Sequence, residues 1–218
     1  MTAERFFDDH QRATIAAAMA RIIPTDDLPG AREAGTIDFL DAYLAGLGAI
    51  YAKPDGSGFE TLSGRRAEAW RRRLAAIQAR YVEGIDDLDR RAHARFGADF
   101  ATLDAGSQDE ILGALDGSAG SQAANSGELS GSTRTHGPAL QQTIAEMDLP
   151  FFSLLCLHTR QGFYADPIYG GNRDRVGWDV IGFPGPASLA EVHGGRYSTL
   201  AWFAEDRRGS ESVADGGS

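Results

Sequence analysis

Apolar residues at Ile37, Leu40, Leu44, Leu47 and Tyr51 step by three and four along the chain. The same step recurs at Ala67, Trp70, Leu74, Ile77 and Tyr81. Such spacing stacks the residues on one face of a helix, whereas a half-buried strand needs strict alternation, which is hardly present in this sequence. The chain is therefore expected to be mainly α. Its length of 218 residues suits one substantial domain rather than two. The reading is an irregular helical single domain over 1–204, with a long glycine-rich, loop-rich C-terminal segment and a disordered polar tail over 205–218.

Within that domain a first helix is expected from Phe6 to Ile23, carried by Phe7, Ile15, Met19 and Ile22 and ended by Pro24. The stretch PTDDLPGAREAGT reads as an ordered turn, and the second helix ends at KPDGSGF. Ser63 is placed to cap a third helix. Most of Arg65, Arg66, Arg71, Arg72, Arg73 and Arg80 fall off its apolar stripe, and read as a solvated face or a patch for an acidic neighbour. A fourth helix is expected from about Asp86 to Phe96, and FATLDAGSQDEILGAL reads as a loop followed by a short helix from about Ser107. Residues 113–137 are rich in Gly, Ser and small polar side chains, and read as a flexible surface insertion that a partner could order. Helices are expected again over 139–147 and from Pro150 to Thr159, the latter dense enough in apolar residues to form the centre of the core.

Charge narrows the partners. A formal charge of −10 argues against a nucleic-acid backbone, which is held by Lys and Arg. The longest apolar runs, such as Phe151 to Leu157, are far short of the roughly 20 residues a membrane-spanning helix needs. A single cysteine, Cys156, excludes an intramolecular disulfide and reads as a buried thiol. The N-terminal stretch carries no basic region ahead of an apolar segment and no twin arginine. As written the chain reads as cytoplasmic, and as periplasmic if a leader has been removed or is supplied by a partner.

After Arg160 helical periodicity gives way to DPIYGGNRDRVGWDVIGFPG, residues 166–185, with five glycines, two prolines and three large aromatics. Glycine is costly to order, so such a stretch persists where its backbone freedom is used. Asp166 before Pro167 can fix a turn, and Asn172 after two glycines can take a left-handed conformation with its amide engaged locally. Tyr169, Trp178 and Phe183 either pin the loop to a core or offer rings to a partner. A catalytic reading would recruit His158, Asp166, Asp174, Asp179 and His193 as acid, base or metal ligands. Neither HExxH, GxSxG nor CxxC spacing accompanies them, and GxGxxG and GxxxxGKS are absent. His158, closing an apolar helix, reads as a hydrogen-bonded structural histidine. The residues assign no catalytic, metal-ligating or cofactor-binding side chain, and leave open a free-standing sugar-binding loop or an independent acid–base enzyme built on His158, Asp166 and Asp179.

The run HTRQGFYADPIYGGNRDRVGWDVIGFPG, from His158 to Gly185, resembles the signature of the gluconate 2-dehydrogenase subunit 3 family. IIPTDDLPGAREAGTIDFLDAYL near the N-terminus and FATLDAGSQDEILGAL in the middle are similar to further blocks of that family, so the resemblance spans most of the chain. It implies a small, non-catalytic subunit of a sugar or polyol dehydrogenase. The partner implied is a large catalytic subunit resembling glucose-methanol-choline oxidoreductases and holding FAD; many such complexes add a cytochrome c subunit with haem c. The small subunit is expected to support folding, flavin loading and export of its partner, usually through a twin-arginine leader, which is not found ahead of Phe6. On this reading Asp166, Pro167, Tyr169, Gly170, Gly171, Asn172, Trp178 and Phe183 form the partner interface.

Overall fold

The computed structural model describes residues 5–123, 146–186 and 189–194, with side chains left out over 117–123 and at Leu189. It is mainly helical: α1 Asp9–Ile22, α2 Thr36–Ala45, α3 Gly64–Phe96, α4 Ala105–Ala123, α5 Phe151–Tyr164, α6 Val176–Val180 and α7 Leu189–His193, with short 3₁₀ turns between them. Among the described residues there is no β-strand, and an isolated antiparallel bridge pairs Ala52 with Phe59. No helix there is long and apolar enough to cross a membrane.

Local capping chemistry joins an apolar stripe at α1, whereas Ser63 takes the N-cap position of α3 without a side-chain capping bond. Asp8 caps α1 by accepting from the Gln11 N–H at 2.8 Å, while the Gln11 side chain reaches back to the Asp8 N–H, so two orphan donors are satisfied reciprocally. The helix starts at Asp9, three residues later than its apolar pattern begins, because Phe6 and Phe7 instead donate their N–H groups to Asp41 at 2.8 and 3.0 Å. The second stripe divides: α2 ends at Ala45, Gly46 takes φ 142°, and Leu47–Ala49 continues as a 3₁₀ turn.

The expected third and fourth helices are one 33-residue helix, α3. Gly84 lies in its middle and reads locally as a weak point. The ring of Phe151 presses on it there: a Cβ at this position would lie 2.2 Å from the ring. Gly84 therefore serves the approach of α5 rather than a break. The helix α4 also runs further than expected, so residues 113–123 are helical rather than part of a loop, and 124–137 lie outside the described residues. The helix expected over 139–147 falls mostly outside them too, although 146–148 form a helical turn leading to Pro150 and α5. The tail over 205–218 lies wholly outside.

Helices α1, α2, α3 and α5 share one core, in which Ile15, Leu40, Leu44, Ile77, Leu88 and Leu155 are fully or almost fully buried. Each contributes about 1.5–3 kcal/mol relative to exposure. The most extensive helix–helix contact joins α2 to α5, and that pair carries the features below.

Candidate functional site

The glycine-rich stretch is the C-terminal cap of α5. A helix leaves its last four carbonyls without intrahelical donors, and here the loop supplies donors to two of them and to the carbonyl that follows. The Asn172 N–H donates to the Gly162 carbonyl at 2.8 Å, the Trp178 Nε1–H to the Tyr164 carbonyl at 2.8 Å, and the Asn172 amide nitrogen to the Ala165 carbonyl at 2.9 Å. The Asn172 carbonyl oxygen accepts from the Gly177 N–H at 2.8 Å, so this fully buried side chain is engaged at both ends. The approach requires glycine at 171, where a Cβ would lie 2.1 Å from the Gly162 oxygen.

The same loop reaches α2. Arg173 donates its N–H to the Ala34 carbonyl at 2.9 Å, and its guanidinium lies 2.5 Å from Asp38, which also pairs with Arg12. Arg12 pairs in turn with Asp41 at 2.6 Å. The N-terminal block and the C-terminal block of the sequence are thus two halves of one clasp. Three non-glycine residues in the loop hold positive φ: Asn172, Asp174 and Arg175.

Of the residues predicted at a partner interface, Gly171, Asn172 and Trp178 are buried within the chain itself, where they hold the loop. Asp166, Pro167, Tyr169 and Phe183 are half-buried, and Gly170 is exposed. Asp166 accepts from the Ile168 N–H at 2.9 Å, the turn its position before Pro167 predicts. Phe183 sits edge-on to Trp178 with ring centres 5.4 Å apart. Tyr169 turns the other way, toward Phe59 and the Ala52 N–H.

Beside the clasp lies a buried polar cluster that draws on four segments. Glu146 pairs through Oε2 with Arg73 of α3. Its Oε1 accepts from His158 Nε2 of α5 at 2.6 Å and from the Tyr43 hydroxyl of α2 at 3.1 Å. Because Glu146 accepts, His158 carries its proton on Nε2, and Nδ1 accepts from the Tyr81 hydroxyl at 2.7 Å. Burial, helped by the positive charge of Arg73, pushes the imidazole down to about 3, so it is neutral. Burial pushes the Tyr43 hydroxyl up to about 12 and the Tyr81 hydroxyl well above its usual value, so both keep their protons. Burial also lowers the Arg73 guanidinium, opposed in part by Tyr43 and Tyr51, and a guanidinium stays charged.

Tyr43, Arg73 and Glu146 of the cluster form the floor of an open groove of about 900 Å³ between the C-terminal half of α2, the N-terminal half of α3 and the outer face of α5. Its walls are aromatic: Tyr43, Tyr51, Trp70, Tyr164 and Tyr169 all line it, with Arg66 and Arg160 at the lips. The Arg66 guanidinium lies 4.2 Å from the centre of the Tyr51 ring, and that of Arg73 lies 4.3 Å from the Trp70 ring. Such stacking holds both rings in place.

The candidate acid–base residues are not joined. Both nitrogens of His158 are occupied, Asp166 caps its turn, and Asp174 and Asp179 are exposed on the loop. His193 is exposed on α7. Among the described residues no three His, Cys, Asp or Glu side chains come together as a metal would require. Cys156 is half-buried, and burial pushes its thiol up. Sequence reasoning placed His158 as a hydrogen-bonded histidine but missed Arg73 and Glu146. The signal for Arg73 was present, since 73, 77 and 81 step by four along the buried face of α3; for Glu146 there was none.

The described residues define a mainly helical protein with a buried polar cluster beside an open aromatic groove. The family model described as gluconate 2-dehydrogenase subunit 3 matches residues 9–185, from the first residue of α1 to the end of the capping loop. The chain belongs to that family. No curated protein and no solved structure matches it.

Proposed function

We propose that this chain is the small accessory subunit of an FAD-dependent carbohydrate or polyol dehydrogenase of the glucose-methanol-choline type, and that it binds and stabilises the catalytic flavoprotein and supports its maturation. The observation that carries the proposal is the family match across 9–185. The closed state of the polar cluster supports it: His158, Glu146, Tyr43 and Tyr81 bond one another, an arrangement that joins helices rather than one that attacks a substrate. In this reading FAD resides on the partner, and where a cytochrome c subunit completes the complex, electrons pass from flavin to haem c without entering this chain.

The test is co-expression of the tagged chain with the flavoprotein subunit of its complex, affinity purification and an absorbance spectrum. The expected result is a co-purifying flavoprotein with flavin bands, and a flavoprotein that is poorly soluble or poorly flavinated when expressed alone. A chain that purifies alone and colourless, beside a flavoprotein fully active without it, overturns the reading.

A further inference from the structure

The groove lies on a positive patch of an otherwise strongly acidic chain. Over 64–75, α3 carries Arg65, Arg66, Arg71, Arg72 and Arg73 against a single acid, Glu68, while the whole chain bears −10. Arg65, Arg66, Arg71 and Arg72 are exposed, Arg66 lies 3.4 Å from Glu60, and of the exposed arginines Arg66 and Arg160 of α5 line the groove. The one carboxylate in the groove lining, Glu146, is buried and paired with Arg73.

The volume alone would admit a small molecule. A small polar ligand, however, needs polar groups on the floor to orient it, and Glu146 and Tyr43 there are already bonded within the cluster. What the groove offers an occupant is aromatic contact area along its walls and positive charge at its lips. That combination matches a polypeptide segment with apolar or aromatic anchors flanked by Asp or Glu: rings and guanidiniums supply most of the binding energy at such interfaces, and opposite charge steers the approach. A second copy of this chain, at −10, is a poor match because the two would repel at long range.

We propose that this groove docks an acidic, aromatic-bearing segment of the flavoprotein subunit, with Trp70 and Tyr164 contacting its anchors and Arg160 pairing with its carboxylates. The inference rests on the accessory-subunit reading and adds the surface through which it works. Of the capping loop, Tyr169 lines this contact, while the buried Asn172 and Trp178 cap α5.

The experiment measures the affinity of the full-length chain for the purified flavoprotein by biolayer interferometry, at 50 and 300 mM salt. Arg160→Glu reverses one lip and Ala69→Trp fills the groove from an exposed helical position; Arg90→Glu reverses an exposed arginine at the far end of α3 as a control. Far-ultraviolet circular dichroism and thermal melting check that all three fold. The expected result is a Kd at least tenfold weaker for Arg160→Glu and Ala69→Trp, a smaller salt dependence for Arg160→Glu, and a change within twofold for Arg90→Glu. Hydrogen exchange over 64–75 should slow in the complex. A wild-type complex that ignores both groove substitutions overturns the docking while leaving the subunit reading intact, whereas no complex with the wild-type chain overturns both. A wild-type dimer dissolved by Ala69→Trp would assign the groove to a second copy and overturn the proposal. Slow exchange over 64–75 in the isolated chain that is lost on ending it at Gly194 would assign the groove to the chain's own C-terminal residues and overturn the proposal as well.

Discussion

Asn172 sits at φ 46° and ψ 43°, a region that Asn tolerates better than other side chains, and spends both ends of its amide on the capping of α5. Replacing it by Ala leaves a buried Gly177 N–H and the Ala165 carbonyl without partners, about 1–3 kcal/mol each, and adds roughly 1 kcal/mol for the left-handed backbone. Asn172→Ala should therefore lower stability by about 3–7 kcal/mol in urea unfolding, and Asn172→Gly should recover the backbone part alone. The neighbouring Asp174 also holds positive φ, at 56°, yet is exposed. Its strain is not matched by a comparable role, so Asp174→Gly should stabilise the protein by roughly 0.5–1 kcal/mol, the left-handed cost less glycine's own entropy. A loss of stability in Asp174→Gly would show that its carboxylate does more for the loop than its exposure implies.

Between elements, the cluster around Glu146 fixes how α2, α3 and α5 meet. A buried ion pair is weak evidence for stability as a pair but costly to break, because the survivor is left charged in a poor solvent. Glu146→Leu should cost about 3–5 kcal/mol by stranding Arg73, and adding Arg73→Met should return part of that loss. If the double variant proves no more stable than Glu146→Leu, the damage lies in the freed His158 and Tyr43 rather than in the stranded charge. The same cluster marks how far the sequence alone could be read. Stripes such as Ile37–Leu44 and Ala67–Tyr81 are local, so periodicity placed their helices; the turn at Asp166 and the left-handed Asn172 were legible for the same reason, since each obeys a rule spanning two or three residues. The break expected between the third and fourth helices does not occur, because the local cost of Gly84 is offset by the Phe151 ring, which arrives from another helix. Glu146 was invisible, since its partners lie on α2, α3 and α5 and a lone Glu ordinarily reads as surface. The groove shared that fate, as its walls come from segments more than 100 residues apart in order, Tyr43 and Tyr164 among them.

For the molecule as a whole, His158 sets a pH dependence whose sign follows from its burial. Its pKa is near 6.5 unfolded and about 3 folded, so between those values the unfolded chain holds a proton that the folded chain does not. Stability therefore rises with pH through that window, is complete above about 6.5, and falls by about 1.4 kcal/mol for each unit below it. His10 works the other way. Its hydrogen bond to Asp89 raises it, opposed in part by burial, so its contribution is present below 6.5 and is lost as pH rises through the folded value; being half-exposed, it contributes little. Asp109, bonded to Arg21, and Glu33, bonded to Thr25, are held below the usual carboxylate range, and their contributions fade only as pH falls through values lower still. The interval from pH 6.5 to 5 thus belongs chiefly to His158. Guanidinium unfolding across it should show a loss of about 2 kcal/mol for the wild-type chain. His158→Gln, which can donate to Glu146 and accept from Tyr81 without titrating, should remove most of that slope even if it lowers stability uniformly. An unchanged slope in His158→Gln would mean that the imidazole is not held neutral, and that the Glu146 carboxylate rather than burial governs the cluster. Because α3 and α5 meet at this cluster and also form the groove walls, the same acid range should loosen the groove before the rest of the core, and hydrogen exchange over 64–75 at pH 5 is the place to see it.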